Sequence, residues 1–222
     1  MLRADLHIHT AFSPDCGTPL EEIVAHCQRN GINCIAITDH NTIAGALEMA
    51  KLAPFKVIIG EEIDTTAGEI IGYYLTEEVP KGLPPEETAI RIKEQGGVVC
   101  VPHPFDRFRL SALDRHSLES ILPCIDVVEV FNSRLLRLRH AAMAKEFATA
   151  HGLLSSAGSD AHTCREVGNA YVEMPDFNDT NQFLTALAQG RIFGRRSSPW
   201  VRIHSNWAKL HINSKSRPLQ RR

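Results

Sequence analysis

Residues 5–15 read DLHIHTAFSPD, that is Asp5, Leu6, His7, Ile8, His9, Thr10, Ala11, Phe12, Ser13, Pro14 and Asp15. Leu6 and Ile8 alternate with the two histidines, which predicts a strand over 6–9. Side chains alternate between the faces of a strand, so His7 and His9 point the same way. Asp15 follows on a loop. Two imidazoles on a common face, with a carboxylate close behind, are donors suited to Zn, Mn or Fe.

Outward from this stretch, short apolar runs alternate with helix-like segments. Strands are expected at 32–38, 57–60, 69–75, 98–101, 127–131 and 154–157. Helices are expected at 19–28, 42–52, 85–95 and 135–151. Thr18 reads as an N-cap with Pro19 in the first turn, and Gly96, Gly97 and Gly152 read as helix stops. This rhythm implies an α/β fold built on a mostly parallel sheet or barrel.

Each strand ends in chemistry. Asp39 and His40 close "AITDH", Glu61 and Glu62 stand in "GEEID", His103 in "VPHP", and Asp160 and His162 in "AGSDAH". In barrels and open α/β sheets, sites gather at the carboxyl ends of strands. A single histidine at a strand end is ordinarily a hydrogen-bonded core or surface residue. Five strand ends delivering imidazole or carboxylate to one rim are different. Buried together without a cation they would need many partners to offset desolvation.

The totals bound the rest. With 222 residues, 43% of them hydrophobic, one domain with a sizeable core is expected. The formal charge of −2 gives no overall push toward nucleic acid or membrane. No apolar run approaches the roughly 20 residues of a membrane span, and no signal-peptide pattern follows Met1, so a cytoplasmic protein is expected. The six cysteines form no CxxC pair and read as buried thiols. No acidic residue follows Asp179, and residues 191–222 carry nine Lys or Arg. Residues 1–208 are read as one barrel domain and 209–222 as a basic, flexible tail.

The pieces "DLHIHT", "SPD", "TDH", "GEEI", "PHP" and "GSDAH" resemble the PHP family, named for polymerase and histidinol phosphatase. They run from residue 5 to 162, with "REVGNAYVEM" as the usual continuation. The resemblance is closest to short, stand-alone bacterial members. It implies a distorted seven-stranded β/α barrel with a di- or trinuclear centre of Mn, Zn or Fe, Mg being possible. Residue by residue, it implies His7, His9 and Asp160 on a first metal, Glu62 bridging to a second, His103 on the second, and Asp15, His40 and His162 on a third. Glu62 is chosen over Glu61 because the family pattern runs Gly, any residue, Glu, aliphatic. Many members carry a further histidine after the bridging glutamate. Here Glu69 stands in that region, either as a replacement ligand or as a solvated strand residue.

The reaction so implied is hydrolysis of a phosphate ester by metal-activated hydroxide, with Asp160 or His103 handling a proton. Arg107, Arg134 and Arg165, together with Arg109, are candidates for gripping phosphate. Asn132 either lines the pocket or caps the helix near 135, the cap being the preferred reading. A phosphorylated small molecule or nucleotide is the favoured substrate. A nuclease acting on RNA or DNA ends would use the same chemistry and draw on the acid-free C-terminal region, where Trp200 and Trp207 lie. An amidohydrolase-type C–N hydrolase also begins with HxH, but it often uses a bridging lysine that no strand end here supplies. A catalytically dead module is disfavoured because eight family-type positions are filled. The sequence carries no signal of oligomeric state.

Overall fold

A computed structural model describes residues 1–198 except 107, 108 and 110. The basic tail, Trp200 and Trp207 therefore lie outside the described residues. Nine strands form one sheet: β1 (Leu2–Ile8), β2 (Cys34–Ile37), β3 (Lys56–Thr65), β4 (Gly68–Tyr73), β5 (Val98–Val101), β6 (Val127–Asn132), β7 (Leu154–Gly158), β8 (Ala170–Met174) and β9 (Arg191–Gly194). Their order is β7-β6-β5-β4-β3-β2-β1-β8-β9. The sheet then curls back on itself. Beyond β7, Ala161 bridges Ile8 of β1 in parallel. The Asp160 N–H donates to the His7 carbonyl at 2.7 Å, and the His9 N–H to the Ala161 carbonyl at 3.0 Å. The result is a nearly closed barrel.

Six helices cover it: α1 (Leu20–Asn30), α2 (Ala44–Leu52), α3 (Pro85–Glu94), α4 (Arg115–Ser120), α5 (Leu138–Ala150) and α6 (Thr180–Ala188). Helix α1 shows why such segments form where they do. Glu21 and Glu22 sit at its positive end and Arg29 at its negative end. Ile23 and Cys27, four residues apart, bury one face, and Gly31 at φ 70° ends the helix in the left-handed conformation.

Three expectations are corrected. The sheet has nine strands, two more than the seven expected, because β8 and β9 add antiparallel to the outer edge of β1. It is parallel in half of its neighbouring pairs rather than in most. Strand β4 returns antiparallel from β3 through the tight turn at Thr65–Gly68 and pairs antiparallel with β5. Thr18 does not cap α1; its hydroxyl donates instead to the His162 carbonyl at 3.1 Å.

One irregularity aims the opening motif. Leu2, Ala4 and Leu6 of β1 lie in one buried cluster with Tyr73 and Phe183. The register of β1 against β2 slips between Asp5 and Ile8. After the slip, Ile8 joins a different cluster, with Ile35, Ile37 and α1. A one-residue slip exchanges the faces of a strand, and so the side chains of His7 and His9 turn into the barrel mouth.

Candidate metal centre

Nine of the sequence-marked side chains arrive at the same rim. His7 and His9 stand at the end of β1, His40 just after β2, Glu62 on β3, Glu69 on β4, His103 after β5, and Asp160 and His162 after β7. Asp15 reaches in from the loop behind β1. All are buried except His40, which is 13% exposed at its side chain.

The atoms fall into three adjoining groups. In the first, the Nε2 atoms of His7 and His9 are 3.2 Å apart, 3.4 and 3.3 Å from the two Glu62 oxygens. Asp160 Oδ1 lies 3.6 Å from His9 Nε2 and 4.0 Å from His7 Nε2. In the second, His103 Nε2 is 3.2 Å from Glu62 Oε1 and 3.4 Å from Glu69 Oε2. In the third, Asp15 Oδ2 is 2.9 Å from His162 Nε2 and 3.4 Å from His40 Nε2, with His9 completing the set. Glu62 belongs to the first two groups and His9 to the first and third. Glu61 takes no part; it accepts the Val79 N–H at 2.9 Å, and burial pushes its carboxyl up to about 7.

This donor chemistry fits divalent cations. Two imidazole nitrogens facing each other at 3.2 Å cannot both carry protons, so lone pairs converge on carboxylate oxygens in an enclosed space. His40 Nδ1 and His103 Nδ1 are buried without a hydrogen-bond partner among the described residues. The electrostatics agree. Burial opposes charge on His7 and His40, yet surrounding carboxylates raise His7 well above the ordinary imidazole value and His40 to about 10. Burial opposes ionisation of Asp160, but Arg109, His7 and Arg134 hold it well below the ordinary carboxylate range. A rim that attracts protons this strongly attracts other cations for the same reason.

Residues 139–192 match the family described as PHP-associated. Over 181 residues the chain is 37% identical to the uncharacterized protein MJ0417 of Methanocaldococcus jannaschii, covering 80% of this chain and 72% of that one. Over 146 residues it is 44% identical to MJ1587 of the same organism, covering 60% and 82%. A two-domain protein from Bacteroides vulgatus, containing a predicted PHP-like metal-dependent phosphoesterase, shares the fold at TM-score 0.69 and 18% identity, over 87% of this chain and 65% of that one. The chain belongs to the PHP family.

The same fold recurs in an amidohydrolase from Chromobacterium violaceum (TM-score 0.64, 16% identity, 86% of this chain and 97% of that one). It recurs also in a lesion-specific endonuclease from Pyrococcus furiosus (TM-score 0.60, 13% identity, 99% and 72%). Within this PHP barrel, a further layer of side chains aims the donors. Glu129 of β6 accepts from His7 Nδ1 at 3.0 Å, from the His103 N–H at 2.8 Å and from Asn132 Nδ2 at 2.9 Å. Its bond to His7 places that proton on Nδ1 and leaves the Nε2 lone pair for the centre. Asp39 accepts the Thr10 N–H and hydroxyl at 2.6 and 2.7 Å, holding the loop that carries Asp15. Asp5 accepts the Ser159 and Gly168 N–H groups, each at 2.8 Å. His103 and Asp160 adopt left-handed φ values of 32° and 54°, which non-glycine residues enter only where surrounding structure compels it.

Asn132 is a correction. It lines the site rather than capping a helix, donating to Asp160 Oδ2 at 3.1 Å as well as to Glu129, and α5 begins only at Leu138. The arginines divide. Arg109 donates to Asp160 Oδ2. Arg134 Nη1 lies 2.7 Å from His162 Nδ1 and its Nε 3.3 Å from Glu166 Oε1. Arg165 is exposed on the single helical turn Cys164–Glu166. Arg107 lies outside the described residues. Glu129 and Asp5 escaped the sequence reading; a lone carboxylate inside the apolar run "VVEVF" was the signal available for Glu129.

Proposed function

We propose that the protein is a metal-dependent phosphoesterase that hydrolyses a phosphate ester at a di- or trinuclear centre. The observation that carries this reading is the sharing of Glu62 between adjoining donor groups, because one cation needs no shared ligand. His7, His9, Glu62 and Asp160 would hold a first cation; Glu62, Glu69 and His103 a second; Asp15, His40 and His162 a third. Mn, Zn or Fe suit these donors, and Glu69 in place of an imidazole makes the second position the hardest and the most receptive to Mn or Mg. Bound there, divalent cations lower the pKa of water toward neutrality and neutralise phosphate oxygens.

The protein's own groups complete the reaction. Asp160 Oδ1 faces the histidines while Oδ2 is occupied by Arg109 and Asn132. Being ionised, Oδ1 suits a ligand to the first cation, and Asp160 and His103 are retained as the groups that take or relay a proton. Arg109 and Arg134, beside Asp160 and His162, supply fixed positive charge for the ester's free oxygens. Arg107 and Arg165 are retained as candidates for outer contacts.

A small phosphorylated metabolite or nucleotide is the favoured substrate. An end-acting nuclease is the second reading, supported by the acid-free sequence after Asp179. Among the described residues no helix is long and apolar enough to cross a membrane. The test is a panel of phosphate monoesters, short oligonucleotides, lactones and amides, each with Mn, Zn, Fe or Mg supplied. Phosphate ester hydrolysis that stops on chelation and returns with metal is expected. Turnover of an amide or lactone alone, or full activity after chelation, would overturn the proposal.

A further inference from the structure

We propose that Asp106 and His140, two buried groups outside the donor set, are positioning residues that hold Arg109 against the centre. The inference rests on the phosphoesterase reading, in which Arg109 meets the substrate's phosphate.

The connection is continuous from helix to centre. His140 lies in the first turn of α5 and is buried, with Nδ1 3.3 Å from Asp106 Oδ1. Its Nε2 accepts from Arg139 Nε at 3.4 Å. A neutral imidazole that accepts at Nε2 carries its proton on Nδ1, the nitrogen that stands on the Asp106 side at ion-pair distance. Asp106 is fully buried, and its Oδ2 lies 3.7 Å from Arg109 Nε. Arg109 in turn bonds Asp160 through Nη2. The backbone makes the same short path: the Asp106 N–H donates to the His103 carbonyl at 3.4 Å and the Arg109 N–H to the Asp106 carbonyl at 2.8 Å. Asp106 thus sits between a metal-binding residue and the arginine.

A merely structural role explains this poorly. Burying a carboxylate and an imidazole costs more than packing α5 with an apolar side chain, unless the charge is used. Here part of it falls on the guanidinium of Arg109, 3.7 Å from Asp106. Asp160 bonds the Nη2 edge, Asp106 stands 3.7 Å from Nε as a looser ion pair, and no hydrogen bond from Nη1 to a described residue is found. The side chain is 17% exposed, whereas Asp106 is sealed. The fork is thereby held with one edge left for an anion arriving at the centre. Without Asp106, Arg109 would keep its attachment to Asp160 and could swing about it.

The experiment uses the Mn-loaded full chain, p-nitrophenyl phosphate as substrate and inorganic phosphate as inhibitor. Asp106→Asn and His140→Leu should each raise KM and the phosphate inhibition constant on the order of tenfold, the size of one misplaced charge-assisted contact. Metal content should stay at the wild-type level. His140→Asn, which keeps an N–H donor near the Nδ1 position, should restore most of the loss. In an Arg109→Lys background the Asp106 and His140 changes should add little, since residues acting through one group are not additive. Full additivity in that background, or unchanged phosphate inhibition in Asp106→Asn, would overturn the positioning role while leaving the phosphoesterase reading intact. Wild-type protein that neither hydrolyses the ester nor binds phosphate would overturn both. If His140→Leu does not fold, Asp106→Asn and the Asn variant decide the question.

Discussion

Replacing Glu129 by Gln tests whether the layer behind the donors governs metal binding. The two side chains have nearly the same shape, so packing is preserved. The hydrogen bonds are not. Glu129 offers Oε1 to His7 Nδ1 at 3.0 Å and Oε2 to the His103 N–H and Asn132 Nδ2 at 2.8 and 2.9 Å. Glutamine keeps a single oxygen, which best serves the two donors at Oε2. Its amide NH₂ then faces His7, whose Nδ1 must become an acceptor. The proton moves to Nε2, the atom that points at His9 and Glu62. A protonated Nε2 cannot ligate, so metal must reverse the tautomer against the new hydrogen bond. Loss of such an orienting partner costs about 10- to 100-fold in metal affinity, or about 1.4 to 2.7 kcal/mol. Calorimetric titration of metal-stripped protein with Mn, beside elemental analysis of protein purified without chelator, measures the change. Thermal unfolding of the metal-stripped forms provides the control, because the shape-conserving swap leaves the fold largely unaltered. Equal Mn affinity in wild type and Glu129→Gln would refute the argument that Glu129 fixes the His7 tautomer.

Three further outcomes are expected. His9→Ala should lower the metal content per chain by emptying the first position, and elemental analysis reads the loss. Glu69→Gln should lower metal stoichiometry with little change in the melting temperature of the metal-free protein; unchanged metal content would show that Glu69 is no ligand. Gly158→Ala should destabilise the fold by about 3 kcal/mol or more, measured by urea unfolding, since a Cβ there would stand 2.2 Å from His7 Cβ and 2.8 Å from Glu129 Oε1.

The donors at the rim were legible because they obey a simple rule. His40, His103, Asp160 and His162 each close a β-rich run, and strand ends in this class of fold share one face of the barrel. What periodicity does not reveal is long-range pairing. Thr18 has the composition of a cap, but the His162 carbonyl, distant in sequence, claims its hydroxyl. Asn132 likewise turns to Glu129 and Asp160 instead of a helix end. Glu129 was masked by its apolar neighbours, whose hydrophobicity reads as strand whatever the fourth residue does. Strand β9 is only four residues long and partly exposed, so its identity comes from pairing with β8 rather than from its own side chains. The slip in β1 that turns His7 and His9 inward exists only once β2 lies alongside.

The bridge between Ile8 and Ala161 joins segments more than 150 residues apart. Asp160 and His162 flank that seam, while His7 and His9 flank it from the other side. A ribosome must therefore release the chain past His162 before the first and third donor groups can be whole, so any cation they hold would be taken up only after that seam has closed. Once loaded, the same ions would act as rivets across the seam, so that mineral supply and mechanical integrity of the barrel are settled at one place.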